Sequence, residues 1–212
     1  IIPASVSLAN GEQNTTIELD PIHVHGRPLR VAEGDDLQAA VDIAVPDTTV
    51  ALAADRWQLP IEPFESPLPE SRFGNPIFES ARDDEAGLVV GKPITLAAAE
   101  GYDPTLVAEG GSSESRTFGV RIASHFATLR DVEVVAEGAT GAVSVLDGDG
   151  VRLRGLTLSG ATNGVYAQFA KSPVVRGCQI AAGETGVTLR DLSVNGLVRD
   201  TTIRDAERGV FL

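Results

Sequence analysis

The sequence predicts an all-β solenoid in which short parallel strands wind into coils of 22 to 24 residues. The first observation is a repeated pair in which a hydrophobic residue precedes an arginine. The second is a pair with the same period in which a small residue precedes valine. The third is that no repeat has a helical period or room for a crossover helix. The repeated pairs are Leu129-Arg130, Leu153-Arg154, Val175-Arg176 and Val198-Arg199, and Gly119-Val120, Ala142-Val143, Gly164-Val165, Gly186-Val187 and Gly209-Val210.

Within each repeat, apolar residues alternate with others, as in Val143-Ser144-Val145, which is typical of a strand with one buried face. A bend is predicted where Asp or Gly follows the repeated arginine, because both tolerate a positive φ. Coils stacked about 4.8 Å apart place equivalent side chains in columns. The predicted inward columns are Val132, Leu156, Cys178 and Thr201, and Val134, Leu158, Ile180 and Ile203. We therefore expect Cys178 to be a small core residue rather than a reactive thiol.

A short amphipathic helix is predicted upstream of the repeats, within residues 34–44. Asp35 or Asp36 can cap its N-terminus. Its apolar residues fall on one face, and they are Leu37, Ala40, Val41 and Ala44. Because a solenoid needs its first coil shielded from water and from other strands, we expect this helix to cover that end.

These features resemble the right-handed parallel β-helix proteins of the pectate-lyase-like superfamily. Besides the repeats, the resemblance rests on the helix segment followed by residues 47–52, and on residues 92–96 and 103–107. It implies a right-handed, single-stranded parallel β-helix over residues 29–212, preceded by an N-terminal extension at 1–28. A Pro-rich stretch at 57–87 without clear period is predicted to be an insertion.

The charge balance excludes several classes of partner. The chain has 212 residues, with 17 basic and 30 acidic side chains and a net charge of −13, and Lys92 and Lys171 are its only lysines. Such a surface repels phosphate backbones and anionic lipid, so we expect no nucleic-acid partner. The longest apolar runs are a few residues, so we expect no membrane insertion. The composition also resembles that of halophile proteins. With no methionine, even at position 1, we expect a processed chain or one part of a longer product.

The catalytic motifs of the sugar-cleaving members of the superfamily do not occur in this sequence. Asp147-Gly148-Asp149-Gly150 could offer oxygens to Ca²⁺, but it lacks the spaced ligands and bidentate acid of a calcium loop. A turn between coils already accounts for this run, because Asp and Gly are favoured where the backbone bends sharply. The sequence therefore favours a non-catalytic protein without a cofactor, while paired carboxylates brought together from different coils stay open as an alternative.

Two groups of residues are candidate sites. Arg130, Arg154, Arg176 and Arg199 recur once per coil and are predicted to form an outward file. Guanidinium groups pair with carboxylates in a two-pronged geometry, so the file suits an acidic polysaccharide. General experience with surface charges favours the other interpretation, a solvated ladder of ion pairs. Trp57 is a candidate aromatic contact for the same ligand. The alternative is that its ring covers the side of the coil. His23 and His25 would share one strand face and form half of a Cu or Zn site.

At the C-terminus, residues 209–212 begin another strand, and we expect further chain or a protein partner to cover that coil. The leading hypothesis is a non-catalytic module for binding, adhesion or assembly, at the cell surface or otherwise outside the cytoplasm, whose lateral face contacts saccharide. The alternative is a polysaccharide lyase, epimerase or hydrolase of the superfamily. A second alternative is a copper accessory protein that uses His23 and His25. Fold alone does not separate these functions.

Overall fold

The structure is a computed structural model that describes residues 4–10, 13–19, 28–63, 84–110 and 115–212. The described residues form one helix, α1 (Leu37–Ile43), and strands β1 to β21. Strands β1 (Ala4–Asn10) and β2 (Gln13–Leu19) pair with each other in an antiparallel ladder. The remaining strands build a solenoid with three faces. The all-β parallel β-helix predicted from the sequence is thereby confirmed.

Each complete coil contributes one strand to each face. The first face contains β3 (Leu29–Ala32), β4 (Thr49–Ala53), β7 (Thr95–Ala98), β10 (Thr128–Arg130), β13 (Arg152–Arg154), β16 (Val174–Arg176) and β19 (Leu197–Arg199). The second face contains β5 (Arg56–Pro63), β8 (Thr105–Gly110), β11 (Glu133–Ala136), β14 (Thr157–Ser159), β17 (Gln179–Ala181) and β20 (Thr202–Arg204). The third face contains β6 (Glu85–Val90), β9 (Thr117–Ile122), β12 (Gly141–Leu146), β15 (Asn163–Gln168), β18 (Thr185–Arg190) and β21 (Arg208–Phe211).

The register between coils follows the repeats. Val134, Leu158, Ile180 and Ile203 pair in sequence along the second face, as predicted. The first three are fully buried, and they belong to one continuous hydrophobic core that runs through the coils. Ile203 lies in the last coil and is only half-buried. Burial of such aliphatic side chains is the main source of stability in this kind of fold.

The predicted bend between the first and second faces is present in four consecutive coils. Asp131, Gly155, Gly177 and Asp200 have φ angles of 57°, 60°, 66° and 53°. This left-handed conformation turns the chain sharply after each arginine of the file. It explains why only Gly and Asp occupy the column, since larger or branched side chains are strained there.

Helix α1 covers the first coil. Asp36 caps it by accepting a hydrogen bond from the Ala39 backbone N–H at 3.0 Å, and Leu37 and Val41 are buried beneath it. The Gln38 amide also contacts the outer edge of β6, where it donates to the Val89 carbonyl at 3.0 Å and accepts from the Val89 N–H at 2.9 Å. One side chain thus replaces the missing neighbouring strand at this position, as expected for protection of a strand edge.

The Pro-rich stretch at 57–87 has strands at both of its ends. Residues 57–63 belong to β5 and residues 85–87 belong to β6, and these two strands pair antiparallel where Glu62 meets Ala86. Residues 64–83 between them lie outside the described residues, as do Phe64, Phe73 and Phe78.

The last coil exposes apolar side chains, among them Phe211 at 42% and Leu212 at 85%. That a partner or further chain covers this coil stays a prediction. Within the described ranges, no helix combines the length and the apolar character needed to cross a membrane.

Candidate functional site

The four arginines of the predicted file lie side by side on the first face. Arg130 pairs in register with Arg154, Arg154 with Arg176, and Arg176 with Arg199. Each follows an inward hydrophobic residue, such as the buried Leu153, so strand alternation turns the arginine outward. All four are exposed. The structure therefore brings these candidate residues together, and we call them the arginine ladder.

Neighbouring carboxylates neutralise most of the arginine ladder. Arg130 forms an ion pair with Asp131 at 2.6 Å, and the Nε atoms of Arg176 and Arg199 lie 3.2 and 3.1 Å from the same Asp200 oxygen. Arg154 differs, because glycine occupies the bend that follows it. Among the described residues, no carboxylate lies within 4.0 Å of its guanidinium group. Arg154 is thus the ladder position most open to an external anion.

A cavity of about 380 Å³ lies at the corner between the first and second faces, next to the ladder. Asp103, Asp131 and Glu133 contribute carboxylates to its wall. Asp131 is paired with Arg130, and Glu133 accepts a hydrogen bond from the Thr105 hydroxyl at 2.8 Å. Carboxylates from two successive coils therefore line one corner of the solenoid.

Trp57 does not share this surface. It pairs in register with the inward residue Leu106, and its side chain is only 6% exposed. The alternation along β5 turns Trp57, Leu59 and Ile61 toward the core. The structure therefore places Trp57 inside the first coil and away from the arginine ladder.

His23 and His25 lie outside the described residues, so the metal-site hypothesis stays a prediction. The described histidine, His125, accepts a hydrogen bond through Nδ1 from the Asp149 N–H at 3.0 Å. Asp147 and Gly150 have positive φ angles of 51° and 63°, which places the Asp-Gly-Asp-Gly run in a turn between coils. In the described part of the chain, no group of three His, Cys, Asp or Glu side chains is arranged to hold a metal ion.

Cys178 lies in the core, where sequence reasoning placed it. It is 1% exposed, and burial raises the pKa of its thiol. A protonated, buried thiol is a poor nucleophile.

A buried polar cluster on the third face was not predicted from the sequence. Asp84 accepts two hydrogen bonds from Arg116, at 2.8 and 3.1 Å, and forms an ion pair with Arg121 at 2.6 Å. The side chains of Asp84 and Arg121 are 1% and 0% exposed. We call Asp84, Arg116 and Arg121 the buried charge cluster.

Aromatic and amide groups surround the buried charge cluster. The Arg121 guanidinium lies 5.1 Å from the centre of the Phe118 ring and donates to the Ser144 hydroxyl at 3.3 Å. Arg116 donates to the side-chain Oε1 of Gln168 at 2.9 Å and lies over the Tyr166 ring. These contacts link three successive coils through their outward positions.

Desolvation dominates the electrostatics of the buried charge cluster. It raises the pKa of Asp84 despite the attraction of Arg121 and Arg116. It also lowers the pKa of Arg121 to about 10, although Asp84 opposes that change. Both shifts have the same cause, the removal of charged groups from water, and both indicate that this pair is not a large net source of stability.

Comparison of the chain with family models, with curated proteins and with solved structures finds no match. Membership of the pectate-lyase-like superfamily therefore stays an expectation from the sequence, and the parallel β-helix is the level at which the fold is established.

Proposed function

We propose that this chain is a non-catalytic β-helix module for binding, adhesion or assembly outside the cytoplasm, and that its arginine ladder contacts an acidic saccharide. One observation carries the proposal: Arg154 is exposed in the middle of the ladder, between Arg130 and Arg176, without a described carboxylate partner. Its guanidinium group can form a bidentate, charge-assisted pair with a uronate carboxylate. A polymer that runs along the solenoid axis would meet one arginine per coil.

The net charge of −13 opposes an anionic ligand at long range. Salt weakens this repulsion, because the Debye length is only about 8 Å at 0.15 M ionic strength. A contact pair at Arg154 is screened much less, so we expect binding to persist in moderate salt. This dependence differs from that of a basic protein, in which salt only weakens binding to a polyanion.

The test is calorimetric titration with oligogalacturonate in 0.15 M or higher salt, with neutral dextran as the reference polymer. Arg154→Ala removes the ladder's open position. Arg56→Ala is the matched control, because Arg56 is an exposed arginine on the second face and its loss changes the net charge equally. Arg154 is exposed, and an exposed ion pair contributes up to about 1 kcal/mol, so we expect about fivefold weaker binding for Arg154→Ala and less than twofold for Arg56→Ala. Equal losses, or no binding of oligogalacturonate, would overturn the proposal.

A second function, cleavage of the same polysaccharide, is favoured by the corner cavity beside the ladder. Paired carboxylates are the groups that glycoside hydrolysis requires. If the chain is an enzyme, incubation with polygalacturonate releases reducing or unsaturated ends, and Glu133→Gln abolishes that release while oligogalacturonate still binds. Binding without release favours the non-catalytic module.

A further inference from the structure

Asparagine is followed directly by glycine at three places in the chain, Asn10-Gly11, Asn163-Gly164 and Asn195-Gly196. In such a pair the glycine has no Cβ to shield its backbone nitrogen, so this nitrogen can attack the carbonyl carbon of the asparagine side chain. The attack needs a backbone that can rotate and a side-chain amide that is not held by hydrogen bonds. Gly11 lies outside the described residues, whereas the other two pairs are described and lie in opposite environments.

Asn195 and Gly196 lie in the turn between β18 and β19, immediately before β19 begins. Both residues are exposed, and Asn195 has a φ of 56°, in the left-handed region that asparagine tolerates better than most residues. Within the described ranges, neither the Asn195 side-chain amide nor the Gly196 N–H has a hydrogen-bond partner. Movement of the Asn195 Cγ atom to the Gly196 nitrogen therefore breaks no hydrogen bond of either group.

Asn163 and Gly164 are held firmly by the third face. Asn163 is 8% exposed, and both residues belong to β15, which pairs with β12 on one side and β18 on the other. The Asn163 side-chain amide donates to the Thr140 carbonyl at 2.8 Å and accepts from the Thr188 hydroxyl at 2.8 Å. Reaction at Asn163 therefore requires local opening of β15 and loss of both hydrogen bonds.

We propose that Asn195 is a site of spontaneous deamidation, with the Gly196 nitrogen as the nucleophile and water as the co-reactant. The Gly196 nitrogen loses its proton and forms a bond to Asn195 Cγ, and the side-chain nitrogen leaves as ammonia with that proton. The succinimide then takes up one water molecule. Hydrolysis of its bond to Cγ gives aspartate, and hydrolysis of its bond to the main-chain carbonyl carbon gives isoaspartate. The site is independent of the proposed saccharide function.

Isoaspartate at position 195 loosens the last coil, because it adds one backbone atom to a turn that is fixed on both sides. The Val194 N–H donates to the Ala170 carbonyl at 3.0 Å, and the Leu197 N–H donates to the Pro173 carbonyl at 2.8 Å. Only residues 195 and 196 separate these two fixed points. The added atom displaces Leu197 and weakens the pairing of β19 with β16.

Peptide mapping by mass spectrometry, after incubation of the folded chain in mildly alkaline buffer, tests the site. We expect the Asn195 amide to convert to a mixture of aspartate and isoaspartate at roughly ten times or more the rate at Asn163. In concentrated urea the two pairs should react at similar rates, because the fold no longer separates them. Asn195→Gly suits the left-handed φ and lacks the amide, so its peptide should show no conversion. Equal rates at Asn195 and Asn163 in the folded chain would refute the proposal.

Hydrogen exchange at the Leu197 amide tests the structural consequence. Asn195→Asp is the matched control, because it introduces the carboxylate without the additional backbone atom. We expect faster exchange at Leu197 in the isoaspartate-containing chain than in Asn195→Asp, and equal exchange in Asn195→Asp and the unmodified chain. If the isoaspartate-containing chain exchanges no faster than Asn195→Asp, the turn absorbs the added atom and the last coil is not loosened.

Discussion

The carboxylate of Asp84 lies 2.6 Å from the Arg121 guanidinium, and both side chains are excluded from solvent on the outward side of the third face. Asp84 immediately precedes β6, and Arg121 lies in β9 of the next coil. The pair therefore links the coil that contains β6 to the coil that contains β9. Asp84 is also the first described residue after residue 63.

Substitution of one member of this pair should lower the free energy of unfolding by more than substitution of both. Arg121→Met leaves Asp84 buried with Arg116 as its remaining partner in the cluster, and we expect a loss of about 3–5 kcal/mol in the free energy of unfolding. Arg121→Met combined with Asp84→Asn should recover most of this loss, because no buried carboxylate remains to be desolvated. Urea unfolding of the two variants measures the difference.

The control for this double-mutant comparison is the exposed pair of Arg176 and Asp200, whose side chains are 53% and 52% exposed. Arg176→Met should change stability by no more than about 1 kcal/mol. If the double variant at the buried pair is as unstable as Arg121→Met alone, the pair acts through packing rather than through charge.

The stability of the chain should also depend on pH through Asp84. Its pKa in the folded state is raised above the usual value of 3.8, so the folded chain binds this proton more tightly than the unfolded chain. The stabilising contribution of this group is therefore fully present below about pH 3.8 and is lost as the pH rises through the folded pKa. Relative to Asp84→Asn, the wild-type chain should gain stability as the pH falls from 7 toward 4.

Urea unfolding of both proteins across this range measures the slope, and the comparison cancels the titration of other carboxyl groups. A wild-type chain that instead loses stability relative to Asp84→Asn on acidification would show that Arg116 and Arg121 outweigh desolvation.

The periodic part of the fold could be predicted from the sequence, because the register of a solenoid repeats from coil to coil. The inward position of Cys178, the bend at Gly155 and the alignment of Arg154 with Arg176 all follow from the period. Each of these positions recurs with a similar residue every 22 to 24 positions.

The buried charge cluster could not be predicted in this way, since Asp84 and Arg116 belong to no repeated column. Arg121 occupies an outward position of its strand, which normally indicates exposure. One signal was available: Val89, Ser144, Tyr166 and Thr188, which share its outward column, are uncharged, whereas the outward column of the first face is arginine. An uncharged outward column indicates a covered face, where an arginine needs a partner.

The Gln38 side chain is expected to stabilise the first coil through its two hydrogen bonds to Val89. Gln38→Ala leaves the N–H and carbonyl of Val89 to water, because Val89 is only partly buried, so we expect a loss of about 0.5–1.5 kcal/mol in the free energy of unfolding. Gln38→Glu keeps an acceptor for the N–H but places a carboxylate beside the Val89 carbonyl, so it should not rescue stability. Hydrogen exchange at the Val89 amide, together with urea unfolding, measures both effects.

Gln58→Ala is the matched control, because Gln58 is an exposed glutamine on the neighbouring strand β5. Unchanged protection of the Val89 amide in Gln38→Ala would contradict a role for Gln38 in covering the edge of β6.

The column of small residues on the third face already contains alanine at Ala142, but at Gly164 and Gly186 it has no room for a Cβ, whereas Gly209 in the last coil has room. A Cβ at Gly164 would lie 2.2 Å from the Ile180 side chain and 2.7 Å from the Gly186 carbonyl oxygen, which is backbone of the next coil. A Cβ at Gly186 would likewise lie 2.7 Å from the Gly209 carbonyl oxygen. Because backbone cannot yield without separating the coils, Gly164→Ala and Gly186→Ala should each cost about 1–3 kcal/mol or more.

Gly209 belongs to the same column, but a Cβ there has no heavy atom within 4 Å. Gly209→Ala should therefore change the free energy of unfolding by less than about 0.5 kcal/mol, although the substitution is chemically identical. Urea unfolding of the three variants compares them directly. If Gly209→Ala is as destabilising as Gly164→Ala, close approach of successive coils does not account for the cost of the substitution.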